Sequence, residues 1–181
     1  MPYRDPAPEF SRPLDVTRVP PQGSTEKISA EPRECADLAR RFGLPALHSL
    51  EAELKVSRWR GEGLKIKGRF TADLDQSCVV SLDVFRSLLT DEFESYFLPA
   101  GSSEGANRPL IEEGDAEPFE NGIIDMGEVV AETVALALDP YPKKPGVTFA
   151  AVIEDEPASG QSKSEETNPF AGLDRLREDK G

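Results

Sequence analysis

Two stretches in the first half of the chain alternate apolar and polar residues with the two-residue period of a half-buried strand. Leu50, Ala52, Leu54 and Val56 point one way, and Glu51, Glu53, Lys55 and Ser57 the other. After Gly61-Glu62-Gly63 the alternation resumes. Leu64, Ile66, Gly68, Phe70 and Ala72 then face one side, and Lys65, Lys67, Arg69 and Thr71 the opposite side. A glycine-rich break between two such runs predicts a β-hairpin with one buried face. A first short strand is expected over Pro13 to Val19, stopped by Pro20-Pro21-Gln22-Gly23. A third strand is expected over Gln76 to Leu82 with Cys78, Val80 and Leu82 inward, and a fourth near Glu92 to Leu98, closed by Pro99. Gly122 to Asp125 adds a short one.

Two segments follow the helical period instead. In Pro32 to Phe42 the residues Cys35, Leu38, Ala39 and Phe42 form one apolar stripe. Pro32 suits a first turn, where its missing N–H is not needed, and Gly43 suits a left-handed stop. From Asp125 to Leu138, the residues Met126, Val129, Val130, Val134, Ala137 and Leu138 give a wide apolar face. Asp125 can cap the start, with Glu128 at capping-box spacing. The pattern predicts an α+β fold: an antiparallel sheet of about five strands with two packed helices. Curling of the sheet into a partial barrel stays open at this point. Residues 1–13 are expected to be a flexible lead-in, 14–153 a single domain, and 100–118 a solvated loop. Residues 154–181 read as an acidic flexible tail, too poor in apolar groups to fold alone. Within it 168–177 keeps a short helical motif, Asn168 and Pro169 followed by Phe170, Leu173 and Leu176, suited to docking on a partner or on the domain itself.

Composition narrows the function classes. The net charge is −13, yet Lys27 to Arg69 holds ten bases against six acids, whereas Thr71 to Gly181 holds eight against 24. Non-specific DNA binding is not expected from so acidic a chain; one basic patch can still make a specific contact. The longest runs without charge span nine residues, Phe42 to Leu50 among them, and a membrane helix needs about 20. No membrane span and no secretory signal are expected. Two cysteines give no disulfide framework, which fits a reducing cytoplasmic setting.

Catalytic and metal chemistry is thinly represented. His48 is the one histidine, and it sits in a connector. Cys35 and Cys78 fall on apolar faces without a CxxC partner, so no zinc site is expected and both read as buried small hydrophobes. The acidic runs around Asp91, Glu112 and Glu154 lack the spacing of a calcium loop. No phosphate loop, nucleophile elbow or dinucleotide fingerprint is present. No cofactor and no enzymatic activity are expected. The hairpin is richer: 55–69 carries six bases against Glu62 alone. Lys55, Arg58, Arg60, Lys65, Lys67 and Arg69, with Trp59 near the turn, suit a phosphate backbone and a stacked base. The bland reading is a polar sheet face partly neutralised by Glu51 and Glu53.

Three segments resemble the YceD family. They are Gln76-Ser77-Cys78-Val79-Val80-Ser81-Leu82-Asp83; Ile124 to Glu132 running into Leu136-Ala137-Leu138-Asp139-Pro140-Tyr141-Pro142; and Asn168-Pro169-Phe170-Ala171 with Leu173 and Leu176. The likeness spans about residues 14–178. Many members have a CxxC where this chain has Asp75-Gln76-Ser77-Cys78, and only Cys78 matches. The resemblance implies a role in accumulation of large-subunit (23S) ribosomal RNA, through its synthesis, processing or stability. The partner would be that RNA or a ribosomal or processing protein. It supplies no catalytic residue. The competing reading is an acidic protein-interaction adaptor or chaperone-like factor that never touches RNA.

Overall fold

The computed structural model describes residues 8–100 and 116–148. All described elements fall within Met1–Val147, the first of two units. Five strands form one sheet in the order β2 (Ser24–Ser29), β3 (Ala46–Trp59), β4 (Gly63–Ser77), β5 (Val84–Pro99) and β6 (Glu117–Phe119). β1 (Pro13–Asp15) and β7 (Ile123–Asp125) form a separate two-stranded pair. Two helices, α1 (Pro32–Phe42) and α2 (Met126–Ala137), pack on the sheet, α1 against β3 and α2 against β1, β4 and β5.

The α+β class holds, with two corrections. β6 runs parallel to β5 over Phe97–Pro99, so the sheet is mixed rather than purely antiparallel. β2 and β6 are its two edges and do not pair with one another, so it stays open and is not a barrel. The helices cover the face on which Leu50, Leu54, Val56, Leu64, Ile66, Phe70 and Leu74 lie fully or almost fully buried. The opposite face carries the polar residues of the alternating pattern. Gly68 sits on the buried face, where a Cβ would come within 2.6 Å of both Leu54 and Phe93.

The hairpin is longer than its alternation suggests, with Trp59 opposite Gly63 and Ala46 opposite Asp75. The third expected strand does not form over Gln76 to Leu82. β4 ends at Ser77 and the chain reverses. Cys78 donates its N–H to the Asp83 carbonyl at 2.8 Å, and Leu82 donates to Cys78 at 2.9 Å. Leu82 takes a positive φ of 62°, which no strand accommodates, and its side chain is 79% exposed rather than inward. β5 accordingly starts at Val84, well before the expected Glu92, and pairs with β4 along its whole length up to Phe97. The first expected strand ends at Asp15, whose side chain accepts the Thr17 N–H and starts a 3₁₀ turn over Val16–Arg18. α1 and Gly43 are as the pattern predicts, the glycine at φ 68°. Asp125 caps α2 through the Gly127 and Glu128 N–H groups, but the Glu128 carboxylate turns to Arg41 instead of closing a capping box.

The lead-in is not loose where it is described. Phe10 is fully buried, and Arg12 forks onto Glu34 at 2.7 and 2.8 Å while donating to the Ser29 carbonyl. The Arg12 N–H donates to Asp125 at 2.7 Å and its carbonyl accepts from Met126. This pairing holds the Glu34 carboxyl below its ordinary range, the Arg12 hydrogen bond being the largest cause. The 101–115 part of the expected loop, residues 149–153 of the expected domain, and the 154–181 tail with its docking motif lie outside the described residues.

Gly127 lets this segment pass over the start of α2. A Cβ there would stand 2.3 Å from the Phe10 carbonyl oxygen. Glycine to alanine inside a helix ordinarily stabilises by about 0.5–1 kcal/mol. Gly127→Ala should instead destabilise by about 1–3 kcal/mol, because backbone must shift to admit the methyl. Urea unfolding of the full chain measures this, and a stabilised variant would refute the close approach.

Candidate nucleic-acid interface

The exposed face of the sheet is a grid set by strand register. One row runs Lys27, Glu53, Arg69, Glu92 across β2 to β5, with charge alternating at every step. Lys27 Nζ lies 3.4 Å from Glu53, and Arg69 Nε donates to Glu92 at 3.0 Å. The next row runs Thr25, Lys55, Lys67, Glu94. The third sets Ser57, Lys65 and Tyr96 side by side. Lys65 Nζ sits 2.8 Å from Glu94 and 5.2 Å from the centre of the Tyr96 ring.

This geometry sorts the basic residues of the hairpin. Lys65 and Arg69 are on the exposed face but are paired with carboxylates of β5. The Lys65 ammonium is held above its ordinary value, chiefly by its hydrogen bond to Glu94. Arg58 falls on the other alternation row and donates to the Val19 carbonyl at 2.9 Å, away from the exposed grid. Lys55 and Lys67 stand directly opposite one another, and neither has an ion-pair partner among the described residues. Like charges directly opposed across strands destabilise a sheet.

An aromatic end adjoins these lysines. The Trp59 and Tyr96 rings have centroids 4.6 Å apart at 50°, and the Arg60 guanidinium lies 4.6 Å over the Trp59 ring. Arg60 opens the turn at a positive φ of 38°, closed by the Gly63 N–H donating to its carbonyl at 3.0 Å. Rings and guanidinium planes edged by cations are surfaces on which unpaired bases stack. Pattern reasoning finds Trp59 and the lysines but misses Tyr96, Glu92 and Glu94, because their place beside β4 depends on β5 starting at Val84. A shallow concavity farther along the same face, between Lys27, Glu51, Glu53 and Arg69, is charge-balanced.

The remaining candidates are structurally placed. His48 Nε2 is 3.1 Å from Asp75 Oδ2 at the surface. Cys35 is buried under α1, and burial pushes its thiol up. Among the described residues no three His, Cys, Asp or Glu side chains gather closely enough to hold a metal ion. Cys78 is buried with its sulfur turned toward backbone donors. Its Sγ accepts the Ser81 N–H at 3.4 Å. Hydrogen bonding from Ser81, then from Lys144, draws the thiol from 9.0 down to about 6, outweighing the opposing effect of burial.

A thiol that ionises more easily folded than unfolded binds fewer protons in the folded state between those two values. Stability should therefore rise with pH between about 6 and 9.0, and be lost as pH falls through the folded value. Cys78→Ser should flatten that segment of the stability profile. Urea midpoints across the window, with ultraviolet thiolate absorbance as a second readout, measure it. An identical slope in the serine variant would refute the donor arrangement.

No curated protein and no solved structure matches this chain. Among the described residues no helix is long and apolar enough to cross a membrane. A family model does match, over residues 66–177, from near the start of β4 through α2 and beyond, and its description is large ribosomal RNA subunit accumulation protein YceD. That range covers more than half of the sequence, includes the Cys78 turn and the capped start of α2, and places the chain in the YceD family.

Proposed function

We propose that this protein is a non-enzymatic, cytoplasmic factor that supports accumulation of 23S ribosomal RNA by contacting RNA through the exposed face of the β3–β4 hairpin. The observation that carries the reading is the opposed pair Lys55 and Lys67, placed beside the Trp59–Tyr96 aromatic end. Two opposed cations whose one adjoining carboxylate, Glu94, is already held by Lys65 cost folding stability, and a phosphate seated between them offsets that cost. The adjoining rings supply a stacking surface for a base that has left its helix. Lys65 and Arg69, already paired with Glu94 and Glu92, border the contact and limit its width. The acidic remainder of the chain confines binding to this patch and disfavours indiscriminate attachment to nucleic acid.

Replacing both lysines separates binding from folding. In Lys55→Gln/Lys67→Gln the melting temperature should hold or rise slightly, because a like-charge pair is removed. Association with large-subunit precursor RNA should weaken, and the slope of log affinity against log salt should fall by about 0.7 for each lysine lost from a single-stranded contact. Filter binding across a salt series and gradient co-sedimentation measure these effects. An unchanged slope together with unchanged co-sedimentation would favour the protein-interaction adaptor over the RNA contact.

A further inference from the structure

β5 is 16 residues long, and all but its last two pair with β4 on one side. On the other side, among the described residues, only Phe97–Pro99 pair, with β6. Among the described residues, Val84 to Tyr96 therefore presents a long row of backbone N–H and C=O groups at an open edge. Natural sheets blunt such edges with proline, lysine, bulges or short strands. Val84 to Tyr96 has no proline, glycine or lysine, and no register shift interrupts its pairing with β4.

The side chains along this edge are incompletely covered on both faces. On the helix side Phe85, Leu89 and Phe93 are half-buried, the last two packed against the core. On the opposite side Val84 and Leu88 are 55% and 69% exposed. A further strand would bury apolar groups on both faces while satisfying the backbone.

The charges along the edge select what can occupy it. Its one cation, Arg86, is held by Asp73 at 2.7 Å. Asp91 lies on the helix-facing row, where an unpaired carboxylate repels a second acidic strand. Glu117 on β6 and Glu132 on α2 sit close enough for Glu132 to raise the Glu117 carboxyl, after burial as the larger cause. None of Asp91, Glu117 and Glu132 has an ion-pair partner among the described residues. A second copy of this chain brings the same carboxylates and the same net charge of −13. We propose that the open edge of β5, from Val84 to Tyr96, is a strand-addition site for an extended, lysine- or arginine-bearing segment of a partner protein. Backbone pairing supplies the affinity, apolar residues facing Leu89 and Phe93 fix the register, and separate cations, one beside Asp91 and one near Glu117 past the end of the row, supply the selectivity.

Residue-resolved amide exchange of the full-length protein tests this. The probes are three capped eight-residue peptides: Val-Lys, two repeats of Val-Thr-Lys-Thr, which sets valine and lysine on one face; Val-Glu, the same with glutamate for lysine; and Pro-Lys, two repeats of Pro-Pro-Lys-Pro. Val-Lys should slow exchange at alternate amides of Val84–Tyr96. Val-Glu, of opposite charge, and Pro-Lys, of equal charge but lacking three of every four N–H donors, should not. Adjacent strand residues send their N–H groups to opposite sides, so Thr90→Pro and Asp91→Pro form an internal control. One of the two should unfold readily, and the other should stay folded and lose the protection. Asp91→Asn should weaken Val-Lys binding about threefold, as an exposed ion pair does. Equal protection by Val-Lys and Pro-Lys, or none by either, would overturn the proposal. Full protection of these amides without peptide would overturn it in favour of another segment of this chain. Protection that grows with protein concentration alone would overturn it in favour of a second copy.

Discussion

The Asp125 carboxylate and the Arg12 guanidinium fasten the same short segment to the starts of both helices. Asp125 accepts from the Arg12 and Gly127 N–H groups and from the Ser11 hydroxyl, so one carboxylate caps α2 and anchors the lead-in. Arg12 reaches the other way to Glu34, whose carboxylate also accepts the Glu31 N–H at the start of α1. Helices of 11 and 12 residues are marginal in water and owe their stability to packing. Arg41 closes the circuit from the end of α1 to Glu9 and Glu128. With Phe10 buried beneath, both helices are held on one face of the sheet. Among the described residues no helix covers the opposite face.

That division of labour shapes the surface. A sheet packed on one side can carry charge on the other, and here most of the charge cancels row by row. The Lys27, Glu53, Arg69, Glu92 ladder is exposed, so each pair contributes little to stability. Its value to the proposed RNA contact is to leave Lys55 and Lys67 as the local departure from neutrality. The open edge of β5 is a separate feature, set by backbone geometry rather than by excess positive charge. An RNA face and a peptide edge on neighbouring strands would suit a factor that brings a basic protein and RNA together.

Much of this architecture is legible in the sequence where side-chain period and capping chemistry agree. The hairpin, α1 with Gly43, and α2 with Asp125 are of that kind, and so is the exposed row of Lys55, Lys65, Lys67 and Arg69. The failures have physical causes. β2 has Ile28 as its one large apolar residue and exists because β3 supplies backbone partners, a cause no local pattern carries. The Gln76 to Leu82 run alternates like a strand, but Cys78 sulfur and backbone bonds, with Val79 donating to the distant Pro142 carbonyl, fold it into a turn. Adjacent Leu88 and Leu89 blur the start of β5, so the partners of Lys65 and Arg69 stay hidden. Arg58 looks like a member of the basic patch by composition, but continuing the alternation from Leu54 and Val56 puts it on the other face, as the register bears out.

The central claim is that RNA meets the protein on the β3–β4 face beside Trp59 and Tyr96. Ultraviolet crosslinking of the full-length protein to large-subunit precursor RNA, followed by mass spectrometry of nucleotide-bearing peptides, tests it most directly. The account predicts adducts on the peptides that contain Trp59 or Tyr96, reduced when Lys55 and Lys67 are both glutamine. Adducts confined to peptides from α1 or α2, or no adducts under conditions where the protein co-sediments with precursor particles, would contradict it.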